Sequence, residues 1–201
     1  MKKAVILVSS IITGVVLAVS FLSATPKTSQ PVVDAQNKQV EVAEPAKQEL
    51  SLILENPTLL EIPSLGIKSN IEHVGLDSVG NMDVPKRAED VAWYSKGYKI
   101  GQEGNAVIAG HFDTTAGTPA VFYNLEKLFV GDEIRVQGDG KTVKFRVTGK
   151  QVYSSENFPL EVVFGDNPKS SLNLITCEGV FNSVTKNYSH RTVIFSELVE
   201  S

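Results

Sequence analysis

The chain has 201 residues, enough for one ordinary domain with appended segments. Its hydrophobic fraction of 42% and charged fraction of 21% are those of a globular protein. The formal net charge of −4, without a basic stripe, argues against nucleic acid as a partner. The single cysteine, Cys177, excludes an internal disulfide and a zinc centre built from several thiolates.

The N-terminal segment is predicted to anchor the protein in a membrane. Lys2 and Lys3 precede an apolar run from Ala4 to Leu22. As a helix this run would span roughly 28 Å, close to the hydrocarbon thickness of a bilayer. The lysines would keep the N-terminus in the cytoplasm and the rest of the chain outside. A cleaved signal peptide with a small-x-small site at 18–20 is the alternative, but the length of the run favours an anchor over 1–24.

A linker and then a folded domain are predicted to follow. Residues 25–55 are rich in Pro, Gln, Lys, Glu, Ala and Thr, which predicts a solvated extracytoplasmic linker with a possible short helix over 44–54. From Asn56 onwards, short apolar runs alternate with Gly, Asn, Asp and Pro, a pattern typical of many short strands. We therefore assign the folded domain to 56–201.

The strand signals in this domain are short and evenly spaced. The predicted strands are 59–63, 67–74, 106–109, 134–136, 143–147, 172–176 and 192–195. Gly138-Asp139-Gly140 indicates a hairpin turn between the fourth and fifth of them. Helical signals are weak, and the best lies over 119–128, where Phe122, Leu125 and Leu128 have helical spacing. This pattern predicts an all-β barrel or sandwich with short helices.

Few residues could perform nucleophilic chemistry. A catalytic cysteine needs a base or a cationic partner to form its thiolate. Cys177 and His111 each follow a predicted strand, and strand ends at one rim of a barrel can meet. His190 is a rival base, but the adjacent charge of Arg191 disfavours its cationic form. His73 lies within an early strand and is predicted to be an ordinary histidine.

Arg191 opens the last predicted strand, and its fixed array of donors suits a developing oxyanion. The other arginines, Arg87, Arg135 and Arg146, are predicted to be solvent-exposed. The papain-like order and the caspase signature do not fit the surroundings of Cys177. From these residues alone, a catalytic Cys–His pair and a buried core thiol both remain open.

Three motifs, in this order along the chain, resemble the sortase family over roughly 58–198. The stretch 105–111 is similar to the family's strand that leads to its catalytic histidine. The sequence Leu174-Ile175-Thr176-Cys177 is similar to its Leu-x-Thr-Cys motif, and 191–195 to its catalytic arginine on the last barrel strand. The predicted anchor and linker match the family's layout.

Finer features resemble the class F subgroup. They are Asp83-Val84-Pro85, 91–94, 110–113 and 120–125. The chain departs from that subgroup at Glu178, where the subgroup has Gly, and an acidic neighbour is expected to disfavour the thiolate of Cys177.

The resemblance implies a closed eight-stranded β-barrel that cleaves a C-terminal Leu-Pro-x-Thr-Gly (LPXTG) sorting signal between Thr and Gly. It implies Cys177 as nucleophile, His111 as its acid and base, and Arg191 as oxyanion stabiliser. The partners would be secreted proteins that carry the signal and an amine acceptor such as a peptidoglycan precursor of a Gram-positive cell wall. No cofactor and no metal are expected.

Two further residues and two rival functions complete the expectations. Asp113 could orient the imidazole or cap a turn, and Thr176 could line the substrate site or fill a strand position.

One rival function is a non-catalytic, membrane-anchored extracellular β-barrel that binds a partner. The other is an L,D-transpeptidase, whose Ser-x-Gly-Cys-x-Arg cluster is missing here because Cys177 and Arg191 lie far apart in sequence.

Overall fold

A computed structural model describes residues 52–199. The predicted anchor over 1–24 and most of the predicted linker over 25–55 lie outside the described residues. At the start of the described chain, Leu54 is fully buried and its N–H donates to the carbonyl of Ile100 at 2.8 Å. Among residues 52–199 no helix has the length and apolar character needed to cross a membrane.

The described residues form a closed β-barrel of eight strands, which confirms the predicted fold. They are β1 (Pro57–Ile62), β2 (Ile67–Val74), β3 (Val91–Tyr94), β4 (Gly104–Gly110), β5 (Glu133–Gly138), β6 (Lys141–Ser154), β7 (Ser170–Asn182) and β8 (Asn187–Leu198). The order around the barrel is β1-β2-β3-β4-β7-β8-β6-β5, and β5 pairs back onto β1. The pairs β2–β3 and β4–β7 are parallel, and the others are antiparallel.

The barrel interior is filled by alternate side chains of the strands. In β6, Val143, Phe145 and Val147 are at most 1% exposed, whereas Lys144 and Arg146 face solvent. This is the alternation expected of a strand with one buried face, and it confirms the predicted strand over 143–147. Strand β3 was not among the predicted strands, because its four residues are all buried or half-buried and show no alternation.

The predicted helix over 119–128 is wrong. Only Leu125–Lys127 forms a single 3₁₀ turn. The segment instead pairs with neighbouring loops, since the N–H of Val121 donates to the carbonyl of Ala88 and the N–H of Phe122 to that of His111, each at 2.9 Å. Its apolar residues are nevertheless buried as their spacing indicates: Phe122, Leu125 and Leu128 are at most 1% exposed.

The last two strands are longer than predicted. Cys177 was expected at a strand end and Arg191 at a strand start, but both lie inside the β7–β8 hairpin. Gly179 adopts a φ of 86°, and the register shifts between Glu178 and Phe181. Glycine tolerates this left-handed conformation, so β7 continues through a bulge beyond the end of the predicted strand at residue 176.

A short helix, α1 (Leu160–Phe164), covers part of the outer wall of the barrel. The side-chain amide of Asn105 in β4 donates to the carbonyls of Val162 at 3.3 Å and Gly165 at 3.0 Å. The amide of Asn173 in β7 donates to the carbonyl of Val163 at 2.8 Å. An outer apolar cluster lies between α1 and the barrel wall and consists of Val107, Val163, Ile175 and Val193.

Candidate active site

Three predicted site residues come together on the outer wall of the barrel. Cys177 in β7 pairs directly with Arg191 in β8. Their strand neighbours two positions away, Ile175 and Val193, belong to the outer apolar cluster. Because residues two apart in a strand share a face, Cys177 and Arg191 lie on that same outer face.

The position of His111 follows from the parallel pairing of β4 with β7. Ala109 pairs with Ile175, so the register brings His111, just past the end of β4, alongside Cys177. The hydroxyl of Thr176 donates to the carbonyl of Gly110 at 2.9 Å and closes this junction. The imidazole, thiol and guanidinium therefore come from three adjacent strands.

The thiol of Cys177 is half-buried, and this burial raises its pKa. The guanidinium of Arg191 acts in the opposite direction, and the carboxylate of Asp113 raises the pKa further. Asp113 is therefore the acidic group that disfavours the thiolate. The side chain of Glu178, for which the sequence predicted this effect, accepts a hydrogen bond from the hydroxyl of Thr192.

The imidazole of His111 has a defined proton arrangement. Its Nε2 lies 2.8 Å from the carbonyl oxygen of Pro85. A carbonyl oxygen only accepts hydrogen bonds, so Nε2 carries a hydrogen and donates it. In the neutral ring the lone pair is then on Nδ1, and Nδ1 is the atom that can take up and release a proton.

The guanidinium of Arg191 is bound to the start of its own strand. Its Nη1 donates to the carbonyls of Tyr188 at 3.1 Å and His190 at 2.8 Å. Its Nη2 donates to the side-chain oxygen of Asn187. The rival base His190 is exposed, and its Nδ1 lies 2.7 Å from the hydroxyl of Ser189.

Asp113 and Thr176 also lie beside this group. Asp113 accepts a hydrogen bond from the hydroxyl of Tyr188 at 2.6 Å. The hydrogen bond of the His111 imidazole is made by Nε2 to the carbonyl of Pro85, not to Asp113. Thr176 is 4% exposed, and its hydroxyl is engaged by the main chain of β4. Both side chains thus have partners in the protein framework.

No sequence motif pointed to a functional role for Tyr188, Asn187 or the carbonyl of Pro85. Pro85 was noted only as part of the motif Asp83-Val84-Pro85. Every residue has a main-chain carbonyl, so the residue type does not reveal a contact of this kind. Tyr188 lies in a polar stretch whose partners depend on how two distant loops meet. A structure is needed to find contacts of this kind.

His73 and the other three arginines have the surroundings that the sequence indicated. Nε2 of His73 lies 2.8 Å from the carbonyl of Pro57, and its ring packs edge-on against Trp93. Arg87, Arg135 and Arg146 lie at or near the surface. Over residues 52–199, no group of three or more His, Cys, Asp or Glu side chains is arranged to hold a metal ion.

Comparisons with known proteins identify one family. A family model described as the sortase domain matches residues 60–199. The lid mutant of sortase A from Corynebacterium diphtheriae is 24% identical, with 75% of this chain and 71% of that chain covered and a TM-score of 0.56. Sortase C-1 from Actinomyces oris is 25% identical over 72% and 73% of the two chains, with a TM-score of 0.56. A Sortase D5 transpeptidase from Clostridium perfringens is 20% identical over 77% and 86%, with a TM-score of 0.55.

No curated protein sequence matches the chain significantly. The sortase match nevertheless covers well over half of its length. The protein is therefore a cysteine transpeptidase by its family, and its single half-buried thiol is consistent with this class. The chain belongs to the sortase family. Relatives named sortase A, C and D have similar TM-scores, so the class F resemblance stays a prediction.

Proposed function

We propose that this sortase cleaves a C-terminal Leu-Pro-x-Thr-Gly-like signal between Thr and Gly and transfers the protein to an amine of the cell wall. The observation that carries the proposal is the grouping of His111, Cys177 and Arg191 on one outer face of the barrel. Nucleophile, proton carrier and oxyanion donor are the three functions that acyl transfer needs.

The first half of the reaction forms a thioester. The thiolate of Cys177 attacks the Thr carbonyl carbon of the signal, and Arg191 stabilises the oxyanion that develops there. The C–N bond to Gly then breaks. The leaving amine takes the proton from Nδ1 of His111, the nitrogen that does not face Pro85.

The second half reverses these roles. An incoming amine attacks the thioester, and His111 accepts its proton while Cys177 leaves as the thiolate. One amide bond is exchanged for another, so the reaction needs no oxidant and no nucleotide. Water in place of the amine would give hydrolysis.

The reactive thiolate is the minor form of Cys177 at neutral pH, because burial holds the pKa of the thiol above its ordinary value. Arg191 is the neighbouring cation that opposes this effect. Its hydrogen bonds within the protein use both hydrogens of Nη1 and one hydrogen of Nη2. A guanidinium has five N–H groups, so Nε–H and the second Nη2 hydrogen are left to bind an oxyanion.

The apolar surface beside Cys177 supports a signal that begins with Leu and Pro. The outer apolar cluster continues into a rim of half-buried side chains: Met82, Tyr94, Tyr153, Phe158, Phe164 and Phe195. Binding sites for apolar peptide side chains are typically lined in this way, with few polar groups that fix orientation.

The proposed location follows from the N-terminal sequence. A helix over 1–24 would hold the protein in the cell membrane, with the linker over 25–55 and the catalytic domain over 56–201 outside. The domain would then meet secreted proteins that carry the signal and amine precursors of the wall.

The deciding experiment incubates the protein with a Leu-Pro-x-Thr-Gly-based peptide library and an amine acceptor, followed by mass spectrometry. We expect a thioester on Cys177 and a product in which the acceptor replaces Gly. Cys177→Ala should fold normally and give neither species. Turnover by Cys177→Ala near that of the wild type would exclude the mechanism, and a large loss of stability would favour the core-thiol interpretation.

A further inference from the structure

Tyr188 joins the two segments that flank Cys177. Its hydroxyl donates to Oδ2 of Asp113 at 2.6 Å, and Asp113 lies two residues after His111. The main-chain carbonyl of Tyr188 accepts a hydrogen bond from Nη1 of Arg191 at 3.1 Å. One residue therefore contacts both the loop that bears the imidazole and the guanidinium.

The ring of Tyr188 packs independently of its hydroxyl. It contacts Phe112 with ring centroids 5.8 Å apart and Phe181 with centroids 5.2 Å apart. Phe112 in turn packs against Tyr123 at 4.8 Å. This aromatic cluster should survive loss of the hydroxyl, so the Tyr188–Asp113 hydrogen bond can be removed without removing the packing.

We propose that Tyr188 is a positioning residue for transpeptidation, whose hydrogen bond to Asp113 fixes the loop after His111 against the strand that carries Arg191. The inference rests on the proposed catalytic roles of these residues and of Cys177.

The hydrogen bond between Tyr188 and Asp113 is expected to be strong and directional. A hydrogen bond from a phenol to a carboxylate is charge-assisted, and such bonds are short and stronger than neutral ones. Asp113, as the acceptor, raises the pKa of Tyr188 to about 12, with burial as a second cause, so the hydroxyl keeps its proton and donates throughout the neutral range.

The hydrogen bond between Tyr188 and Asp113 is important because the reacting groups lie on separate segments of the chain. His111 follows β4, whereas Arg191 lies in β8 beside a hairpin whose Val180 and Val184 are 75% and 88% exposed. These two exposed side chains contribute little packing that would hold the hairpin in place. A displacement of about 1 Å between catalytic groups can lower a rate by roughly 100-fold.

The test compares Tyr188→Phe with the wild type in the full-length protein, solubilised in detergent and assayed with a sorting-signal peptide and an amine acceptor. We expect kcat to fall by about 10- to 100-fold with KM within about twofold, because alignment is lost while substrate binding is kept. The melting temperature should change no more than in the matched control.

Tyr98→Phe is that control. Its hydroxyl also donates to a carboxylate, Asp166. Its ring lies against Gly104, at the start of β4 and roughly 20 Å along that strand from His111. Removing this second Tyr–Asp bond should leave kcat unchanged.

Variants of Asp113 separate the hydrogen bond from the charge. Asp113→Asn keeps an acceptor oxygen for Tyr188 and should retain kcat within about threefold of the wild type. Asp113→Ala and Asp113→Asn both remove the charge that raises the pKa of Cys177, and only Asp113→Ala also removes the acceptor. Relative to Asp113→Asn, Asp113→Ala should therefore lose the same factor in kcat that Tyr188→Phe loses relative to the wild type, and adding Tyr188→Phe to Asp113→Ala should cause no further loss.

Wild-type kcat in Tyr188→Phe would overturn the proposal, as would additive losses in the double variant. The same holds if Asp113→Asn is as impaired as Asp113→Ala, or if the loss follows a drop in melting temperature that Tyr98→Phe shares. The catalytic assignment fails separately: turnover by Cys177→Ala would refute it, whatever Tyr188→Phe does.

Discussion

Cys177 is subject to opposing influences from its neighbours. Burial and Asp113 raise the pKa of the thiol, and Arg191 lowers it. In the proposed mechanism Arg191 acts twice, as the cation that favours the thiolate and as the donor that binds the oxyanion. These two effects differ in what they require, since the first needs only charge and the second needs directed donors.

Substitutions of Arg191 should separate charge from geometry. Arg191→Ala should lower turnover by about 100- to 1000-fold, the usual effect of removing one oxyanion donor, with a smaller change in KM. Arg191→Lys should be partly active, because a point charge does not reproduce the planar array of donors. Steady-state kinetics on a sorting-signal peptide measures both, and Arg146→Ala, on an exposed strand position, is the control.

The pH dependence of Cys177 alkylation gives the second readout of the same variants. Because Arg191 lowers the pKa of the thiol, its loss in Arg191→Ala should move the midpoint of iodoacetamide labelling to higher pH. Arg191→Lys should keep the midpoint close to that of the wild type. A midpoint that moves to lower pH in Arg191→Ala, or unchanged turnover in that variant, would contradict the role assigned to Arg191.

The sequence singled out His111, Cys177 and Arg191 because each lies in a short motif beside a predicted strand end, and the strands that bear them are neighbours in the barrel. Their catalytic roles stay predictions. The sequence did not locate the partners of these residues. The carbonyl of Pro85 and the hydroxyl of Tyr188 reach His111 and Asp113 from segments 26 and 75 residues away in sequence. Such contacts depend on loop conformation, which leaves no periodic pattern in the chain.

At the scale of elements, the junction between β4 and His111 depends on a tight glycine. A Cβ added at Gly110 would lie 2.5 Å from the ring of Phe122, which is fully buried. The ring cannot move freely because it packs in the barrel core. A side chain at residue 110 must therefore displace either the core or the loop that starts at His111.

Gly110→Ala should accordingly lower the free energy of unfolding by about 1–3 kcal/mol, the usual effect of overpacking a core, and reduce activity as well. Urea denaturation with an activity assay on the same samples measures both. Gly149→Ala is the matched control, because a Cβ at Gly149 meets nothing within 4 Å. Equal stability of the two variants would show that the close contact between a Cβ at residue 110 and Phe122 does not destabilise the fold.

Element prediction succeeded where alternation was visible and failed where it was not. The pattern over 143–147 identified β6, whereas β3 has no exposed position that could reveal it. The helical spacing over 119–128 identified the buried residues correctly but predicted the wrong backbone conformation. The backbone of this segment forms hydrogen bonds to other loops instead of a helix. The predicted strand over 172–176 was too short, because β7 continues through a bulge at Gly179.

At the scale of the whole molecule, the N-terminal segment is predicted to decide where the reaction takes place. Lys2 and Lys3 before the apolar run over 4–22 predict a retained helix with the domain outside the cell. The full-length protein should therefore sediment with membranes, and protease added to intact cells should digest the domain. A form lacking 1–24 should be released into the medium only if a cleavable signal is supplied.

Fractionation with immunoblotting and N-terminal sequencing measures this outcome. A soluble secreted form that begins near residue 21 would show that the segment is a cleaved signal peptide instead. Protection of the domain from added protease would contradict the predicted orientation.

The order of strands around the barrel also predicts the order in which the site assembles during folding. Cys177 and Arg191 meet across a local hairpin, but the junction of β4 with β7 joins Gly110 to Thr176 across 66 residues of chain. Local contacts form readily in a folding chain, and distant parallel pairings form late. A newly exported chain would then assemble thiol and guanidinium first and receive its imidazole only on barrel closure. Folding itself would be the activation step, and an incompletely folded chain would carry an inert nucleophile.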